Sequence, residues 1–317
     1  MYQEATLPLF PLLPAAGRPA PDAEALRRRA GVDYFDLLVR EILNRSEAKN
    51  LPFDWTINPY RGCELGCVYC YARSTHGFFE ATSPADFETR IFIKRGAAEK
   101  LSQRLRKSDL RGQTIAIGTA TDPYQPAERH FGVTRSLLEV FTRVEGLHLA
   151  ITTKSPLVLK DLDLLAELDR KHSIEIHISI TTLDRELARK LEPAAPDPQA
   201  RLHTVERLAE AGIAVIVNCM PVMPGINDGE VELAPLFAAA VAAGAVDVQQ
   251  QALALPSATR DKFFPWLKAE FPHLVGIYQR LYARSDYLEG SAKDQLLTNF
   301  RRLRLQHDLP RAQAARA

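Results

Sequence analysis

The chain has 317 residues, 46% of them apolar and 25% charged, with a formal net charge of +1. That composition is ordinary for a globular protein with a sizeable core, and the near-zero charge excludes a strong global field toward nucleic acid or an anionic membrane. No apolar run approaches the ~18 residues of a membrane span, and Met1 to Leu13, with Glu4, Pro8 and Pro11 and no basic segment, does not read as a signal peptide, so a cytoplasmic protein without a membrane partner is expected.

Residues 1–21, rich in Pro, Ala and Leu, read as an irregular lead-in. Leu26, Ala30, Tyr34, Leu37, Leu38 and Ile42 recur at helical spacing and predict a helix over 22–47, closed by Lys49-Asn50-Leu51-Pro52. From residue 53 short apolar runs alternate with longer amphipathic ones. The runs 55–58, 114–119, 147–153, 174–181, 213–219 and 246–253 have the length and composition of buried parallel strands. Helices are expected over 96–107, 133–144, 156–170, 185–211 and 229–243. Ser155-Pro156 reads as an N-cap with Pro at the first helical position, and Gly212 as a helix stop. Residues 86–94 read as an extra strand, a hairpin arm or a sheet edge.

Strands alternating with helices imply an α/β fold, a parallel sheet with right-handed crossovers. Periodicity leaves two forms open, a doubly wound sheet and a partial (β/α) barrel. Residues 257–310 read as helical, with Phe263, Trp266, Tyr278, Leu296 and Phe300 among their apolar positions. The expected organisation is an N-terminal helical extension over 1–50, a core over 51–256 and a C-terminal helical region over 257–317.

Three of the four cysteines, Cys63, Cys67 and Cys70, fall in one short loop after the first strand. That is no disulfide framework, and clustered cysteines in an intracellular chain point to metal. Three thiols in one loop converge without long-range closure entropy, while Gly62 and Gly66 let the backbone turn tightly. Thiolates suit iron–sulfur clusters and zinc. A closed site takes four protein ligands. Either Cys219 or His76 supplies the fourth, as in a non-catalytic zinc or iron–sulfur module, or one iron is left open for a cofactor or substrate.

Ligands of a parallel α/β sheet bind at the carboxyl ends of its strands, where this chain collects polar residues. They include Thr119, Thr121 and Asp122 after the second strand, Thr152 and Lys154 after the third, His177 and Ser179 on the fourth, Asn218 on the fifth and Gln249 on the sixth. Lys154, directly after a buried strand and before a Ser-Pro helix start, is placed to meet an anion such as a carboxylate, with a structural ion pair as the other reading. If Asn218 faces inward, alternation turns Cys219 toward a helix. Tyr60, Tyr69, Tyr71 and Tyr124 lie near the same mouth as stacking surfaces or radical relays. His76 reads as a hydrogen-bonding loop residue and Arg73 as a salt-bridge partner. Arg301, Arg302, Arg304, Arg311 and Arg316, against Asp308, form either a solvated helix end or a basic patch.

The C-x3-C-x2-C spacing, with aromatic Tyr69 before the last cysteine and a strand before the loop, resembles the radical S-adenosylmethionine (SAM) superfamily. The resemblance implies that Cys63, Cys67 and Cys70 ligate a [4Fe–4S] cluster whose fourth iron is chelated by SAM. It also implies reductive cleavage of SAM to a 5′-deoxyadenosyl radical, hydrogen abstraction from a substrate, and an electron donor such as a flavodoxin or ferredoxin. Asn58-Pro59-Tyr60-Arg61-Gly62-Cys63, Cys70-Tyr71-Ala72-Arg73, Thr121-Asp122-Pro123-Tyr124-Gln125-Pro126, Thr153-Lys154-Ser155-Pro156 and Met223-Pro224-Gly225-Ile226-Asn227-Asp228 are similar to the branch containing spore photoproduct lyase and its bacterial relatives.

That wider likeness, over residues 50–255, implies a partial (β/α)6 barrel. It implies SAM contacts from Tyr71, Thr121, Asp122, Lys154 and Ser179, with Tyr69 and Asn218 counted at the same mouth. Arg201, after Glu192-Pro193, is a further candidate for a SAM contact, with a surface arginine on a helix as the other and favoured reading. DNA or another nucleic acid is one expected substrate; a peptide or small molecule is equally open. One departure matters. The lyases carry a hydrogen-donating cysteine just after the second strand, where this chain has Thr119. A hydroxyl is a poor hydrogen-atom donor to a carbon radical, so thymine-dimer repair by the same mechanism is not expected.

Overall fold

Six of the apolar runs form parallel strands side by side in the computed structural model, which describes residues 27–29, 31–46, 51–76, 83 and 85–309. In chain order the strands are β1 (Arg27–Arg29), β2 (Val32–Asp36), β3 (Leu43–Arg45), β4 (Trp55–Ile57), β5 (Tyr60–Arg61), β6 (Arg90–Ile93), β7 (Thr114–Ile117), β8 (His148–Thr153), β9 (Ser173–Ser179), β10 (Ala214–Val222) and β11 (Asp247–Ala252). The main sheet runs β11-β10-β9-β8-β7-β4-β3, parallel throughout except for antiparallel β3 at one edge. From β4 to β11 the spatial order follows the chain without reversal. Each right-handed crossover therefore lays its helix on the same side of the sheet. A doubly wound sheet reverses direction midway, so that alternative is excluded and the singly wound order of a partial (β/α)6 barrel stands.

Alternation along the paired strands gives the sheet two unlike faces. Ile115, Ile117, Leu149, Ile151, Ile176 and Val217 share one face and are fully buried. Ala116, Ala150, Thr152, His177, Asn218 and Gln249 share the other, in register across β7 to β11. A closed barrel of this family of folds fills its interior with Val, Ile and Leu. Here that face carries mostly small or polar side chains instead.

Three expectations are corrected. The helix over 22–47 is not formed: β1, β2 and β3 occupy its described part. Gly31, at φ 81°, turns β1 into β2, and β2 pairs in parallel with β6 in a second sheet of order β1-β2-β6-β5. Tyr34, Leu37 and Ile42 are buried while Leu38 is 79% exposed, so no helical stripe exists; tertiary pairing overrides local spacing. The lead-in over 1–21 lies outside the described residues. The segment 86–94 begins with a helical turn, Asp86–Thr89, before β6. The helix over 185–211 is two, Arg185–Leu191 and Pro198–Glu210. Pro193 and Pro196 cannot continue a helix, and the Asp197 carboxylate caps the second by accepting from the Gln199 amide at 2.9 Å.

The Ser155 cap is present, its hydroxyl oxygen accepting from the Leu157 amide at 3.3 Å, although the first turn it starts is a 3-10 turn. The C-terminal region is helical over Ser257–Glu270, Val275–Leu281 and Gly290–Gln306. Among the described residues no helix is long and apolar enough to cross a membrane.

Candidate active site

The cysteine loop is built against the carboxyl end of β7. Gly62 has φ 81°, and a Cβ there would lie 2.8 Å from the Arg90 carbonyl oxygen, so only glycine lets the loop leave β5 at this point. The Gly62 carbonyl accepts from Thr121 Oγ1 at 2.6 Å and from Gln125 Nε2 at 3.2 Å. The Glu64 amide donates to Gln125 Oε1 at 3.0 Å. The Glu64 carboxylate in turn accepts from the Ala127 amide at 2.7 Å and from the Tyr34 hydroxyl at 2.8 Å. Cys63 and Val68 donate their amides to the Phe87 and Leu191 carbonyls.

All three thiols are free, Cys63 and Cys67 buried and Cys70 partly exposed. Burial pushes the Cys63 thiol well up, with the charges of Asp122, Cys67 and Cys70 adding to it. Burial raises Cys67 to about 12 against the opposing pull of Lys154. Metal ligation requires thiolates, so loading the site releases protons. Among the described residues no three His, Cys, Asp or Glu side chains form a group that would hold one metal ion. The three thiols act on one another's ionisation, and thiolates are the donors that an iron–sulfur cluster takes.

Beside the loop lies a buried polar hub centred on Glu192. Its carboxylate accepts from the Tyr69 hydroxyl and from Arg201. Thr181 Oγ1 lies 2.9 Å from it, and Lys154 Nζ 4.0 Å. Lys154 Nζ also sits 5.9 Å from the centre of the Tyr69 ring, a cation–π placement. Burial alone would raise the Glu192 carboxyl, but Arg201 and Lys154 outweigh it and hold it below the usual range. Burial likewise opposes the Lys154 charge, and the negative charges of Cys67 and Glu192 keep its ammonium above its ordinary value. Arg201 is 1% exposed and donates to the Ser179 carbonyl at 3.0 Å. Its reading as a surface arginine is thus corrected: the helix break before Pro198 turns it inward.

Thr121 and Asp122 hold backbone. Asp122 accepts from Thr153 Oγ1 at 2.6 Å and from the Tyr124 and Lys154 amides at 2.9 and 2.8 Å. It ties the ends of β7 and β8 together and aims Lys154. Burial raises its carboxyl in spite of these bonds. Ser179 and Asn218 are register partners on β9 and β10, and Lys154 directly follows β8, the neighbour of β9, at the same carboxyl end of the sheet. Asn218 Oδ1 lies 3.3 Å from His177 Nδ1. The Tyr71 hydroxyl donates to the Thr119 carbonyl, Tyr60 to Glu128 and Tyr124 to Asp161. Asn58 Nδ2 donates to Thr119 Oγ1 at 3.1 Å. Arg73 pairs with Glu88 at 2.7 Å and donates to the Cys67 carbonyl at 2.9 Å. His76 ends the short 3-10 turn Tyr71–His76 that follows Cys70.

Cys219 lies on the apolar face with Val217, fully buried, its thiol pushed up to about 12 by burial. It faces away from the cysteine loop's mouth. Cys219→Ser is expected to leave iron content unchanged and to lower stability by roughly 1–3 kcal/mol, the cost of an unsatisfied hydroxyl on an apolar face; iron analysis beside a denaturation curve checks both. In the basic tail, Arg302 pairs with Glu230 at 2.9 Å and Arg304 with Asp247 at 2.6 Å; Arg311 and Arg316 lie outside the described residues.

Two features carried no signal in the sequence reading. One is Glu192 as the hub. The other is the helix Ser257–Glu270, which packs on the cysteine loop: Thr259 Oγ1 donates to the Cys70 carbonyl at 3.0 Å, and Lys262 pairs with Glu88, the partner of Arg73. Burial first, then the Arg73 charge, lowers Lys262 to about 8.

The sequence profile described as the Radical SAM superfamily matches residues 57–236, more than half of the chain. The chain belongs to the radical SAM superfamily. An uncharacterized protein of Mycobacterium tuberculosis is 36% identical to this radical SAM protein over 267 residues, 84% of this chain and 78% of the relative. A Radical SAM Nalpha-GlyT isomerase of Pseudomonas phage M6 is 27% identical over 172 residues, 53% of this chain and 33% of the relative. The fold is that of spore photoproduct lyase: a variant of that enzyme with bound AdoMet and dinucleoside spore photoproduct superposes with a TM-score of 0.63 at 15% identity, covering 86% of this chain and 79% of the other. Membership in the superfamily makes the protein an enzyme of SAM-dependent radical chemistry, with SAM and a [4Fe–4S] cluster as its cofactors.

Proposed function

We propose that Cys63, Cys67 and Cys70 hold the [4Fe–4S] cluster and that SAM binds between them and the inner mouth formed by Lys154, Ser179 and Asn218. The bound cofactors supply reductive cleavage of SAM and a 5′-deoxyadenosyl radical that takes a hydrogen atom from the substrate. The observation that carries this reading is the donor set itself: three thiols in one clamped loop, beside the buried Lys154 ammonium that lies 4.0 Å from Glu192. The Lys154 ammonium is placed for the SAM carboxylate, and the Ser179 hydroxyl and Asn218 amide for its polar groups. Tyr69 walls the site and is fixed by Glu192; Tyr71 does the same through the Thr119 carbonyl. Thr121 and Asp122 act indirectly, holding the cysteine loop and Lys154 in place. Electrons come from a small carrier such as a flavodoxin or ferredoxin.

The substrate enters along the polar inner face. Nucleic acid is supported by the likeness to the lyase branch, but Thr119 stands where a hydrogen-donating thiol is needed, and Arg302 and Arg304 are engaged with carboxylates. A net outcome other than thymine-dimer repair follows. The test is anaerobic reconstitution. Wild-type protein is expected to hold about four irons and, with dithionite and SAM, to release 5′-deoxyadenosine. The triple change of Cys63, Cys67 and Cys70 to Ala is expected to abolish both. Stoichiometric zinc with no 5′-deoxyadenosine from wild type overturns the reading in favour of a non-catalytic metal module.

A further inference from the structure

The helix Ser257–Glu270 brings two side chains to the cysteine loop, and they act on it differently. Thr259 holds backbone, its Oγ1 donating to the Cys70 carbonyl at 3.0 Å. Lys262 brings charge: its ammonium pairs with the Glu88 carboxylate. Glu88 belongs to the helical turn Asp86–Thr89, whose Phe87 carbonyl accepts the Cys63 amide at 2.8 Å. A Cβ on Gly66 would meet Glu88 Cγ at 3.6 Å, so the Glu88 side chain runs against the loop backbone beside Cys67. Arg73 closes the chain of contacts, pairing with Glu88 at 2.7 Å and donating to the Cys67 carbonyl at 2.9 Å.

The charges of this chain reach the thiols. Burial and the Arg73 charge lower Lys262, and negative charge on Cys67 and Cys70 opposes them. Burial lowers Arg73, and negative charge on Cys70, Cys67 and Cys63 opposes it. The Lys262 side chain is 27% exposed and that of Glu88 14%, so water and salt screen them less than groups on the open surface. An iron–sulfur cluster responds to such charges through its reduction potential. Reduction adds one electron to it and deepens the negative charge that the three thiolates already supply.

We propose that Lys262 and Glu88 set the reduction potential of the cluster with opposite signs, the ammonium favouring the reduced form and the carboxylate the oxidised one. This rests on the reading that Cys63, Cys67 and Cys70 hold that cluster. Neither residue is a ligand. The covering helix therefore carries part of the electronic control of the site as well as closing over Cys70.

The test is a redox titration of the anaerobically reconstituted full chain without SAM, followed by electron paramagnetic resonance. It is run at pH 7, where Lys262, lowered to about 8, keeps its proton. Lys262→Met is expected to lower the ratio of reduced to oxidised cluster at a fixed poise by roughly 3–10-fold, which is about 28–59 mV for a one-electron couple. Glu88→Gln is expected to raise the ratio by a similar factor, and Lys262→Arg to keep the wild-type value. A merely structural pair gives shifts of the same sign in Lys262→Met and Glu88→Gln, or none, and either result overturns the proposal. Should Glu88→Gln lose its iron, the series Lys262→Arg, Lys262→Met and Lys262→Glu decides: a stepwise fall in potential supports the assignment, and a flat series overturns it. Wild-type protein that takes up no iron instead overturns the reading of the cysteine loop itself, so the two failures are distinct.

Discussion

Replacement of Glu192 by alanine is expected to lower stability by about 3–5 kcal/mol, because it leaves Arg201 and Lys154 as buried cations without their common anion. The effect is large for a change that touches no metal ligand. Glu192 fixes Tyr69 and Arg201 at once, and Arg201 reaches the Ser179 carbonyl on β9. Denaturant midpoints of wild type, Glu192→Gln and Glu192→Ala measure it, with glutamine expected to lie between. The sign of the pH dependence follows from the depressed carboxyl of Glu192. Its contribution is fully present above the unfolded value of about 4.3 and is lost as pH falls through the lower folded value. Wild type is therefore expected to lose stability on acidification through this range more steeply than Glu192→Gln. Parallel acid-denaturation curves for the two proteins contradict the hub.

Lys154→Met is expected to weaken SAM binding by roughly 10–150-fold, the equivalent of about 1.5–3 kcal/mol for a hydrogen bond to a charged group. Iron content is expected to stay at the wild-type level, since Lys154 belongs to β8's end and not to the cysteine loop. Equilibrium binding to the reconstituted proteins, read beside iron analysis, separates the two effects. An unchanged dissociation constant assigns Lys154 to the Glu192 ion pair alone. Loss of iron assigns it to holding the loop.

How much of this was legible follows from the range of each interaction. The strands of the main sheet show in the sequence because buried parallel strands need runs such as Ile174 to Ile178, and those runs need no partner to be recognised. The three cysteines are legible for the same reason, since their geometry is local. Tyr34, Leu37 and Ile42 mislead because their spacing fits a helix as well as a strand and a following turn; pairing with β6, far along the chain, decides between them. Arg201 misleads because one unbroken helix would set it on the surface. Pro193 and Pro196 break that helix, and the nine-residue separation between Glu192 and Arg201 then closes on a buried ion pair. The inner face is half legible: Asn218 inward and Cys219 outward follow from alternation, but which neighbour each inward residue meets requires the register.

The helix Ser257–Glu270 also sets an order of events in synthesis. Its Thr259 meets Cys70 across 189 residues of chain. At about 5–20 residues per second, the ribosome delivers the covering helix about 10–40 s after the thiols. For that interval the thiols exist without the helix that packs on Cys70, and the clamps from Gln125 and Leu191 arrive within it.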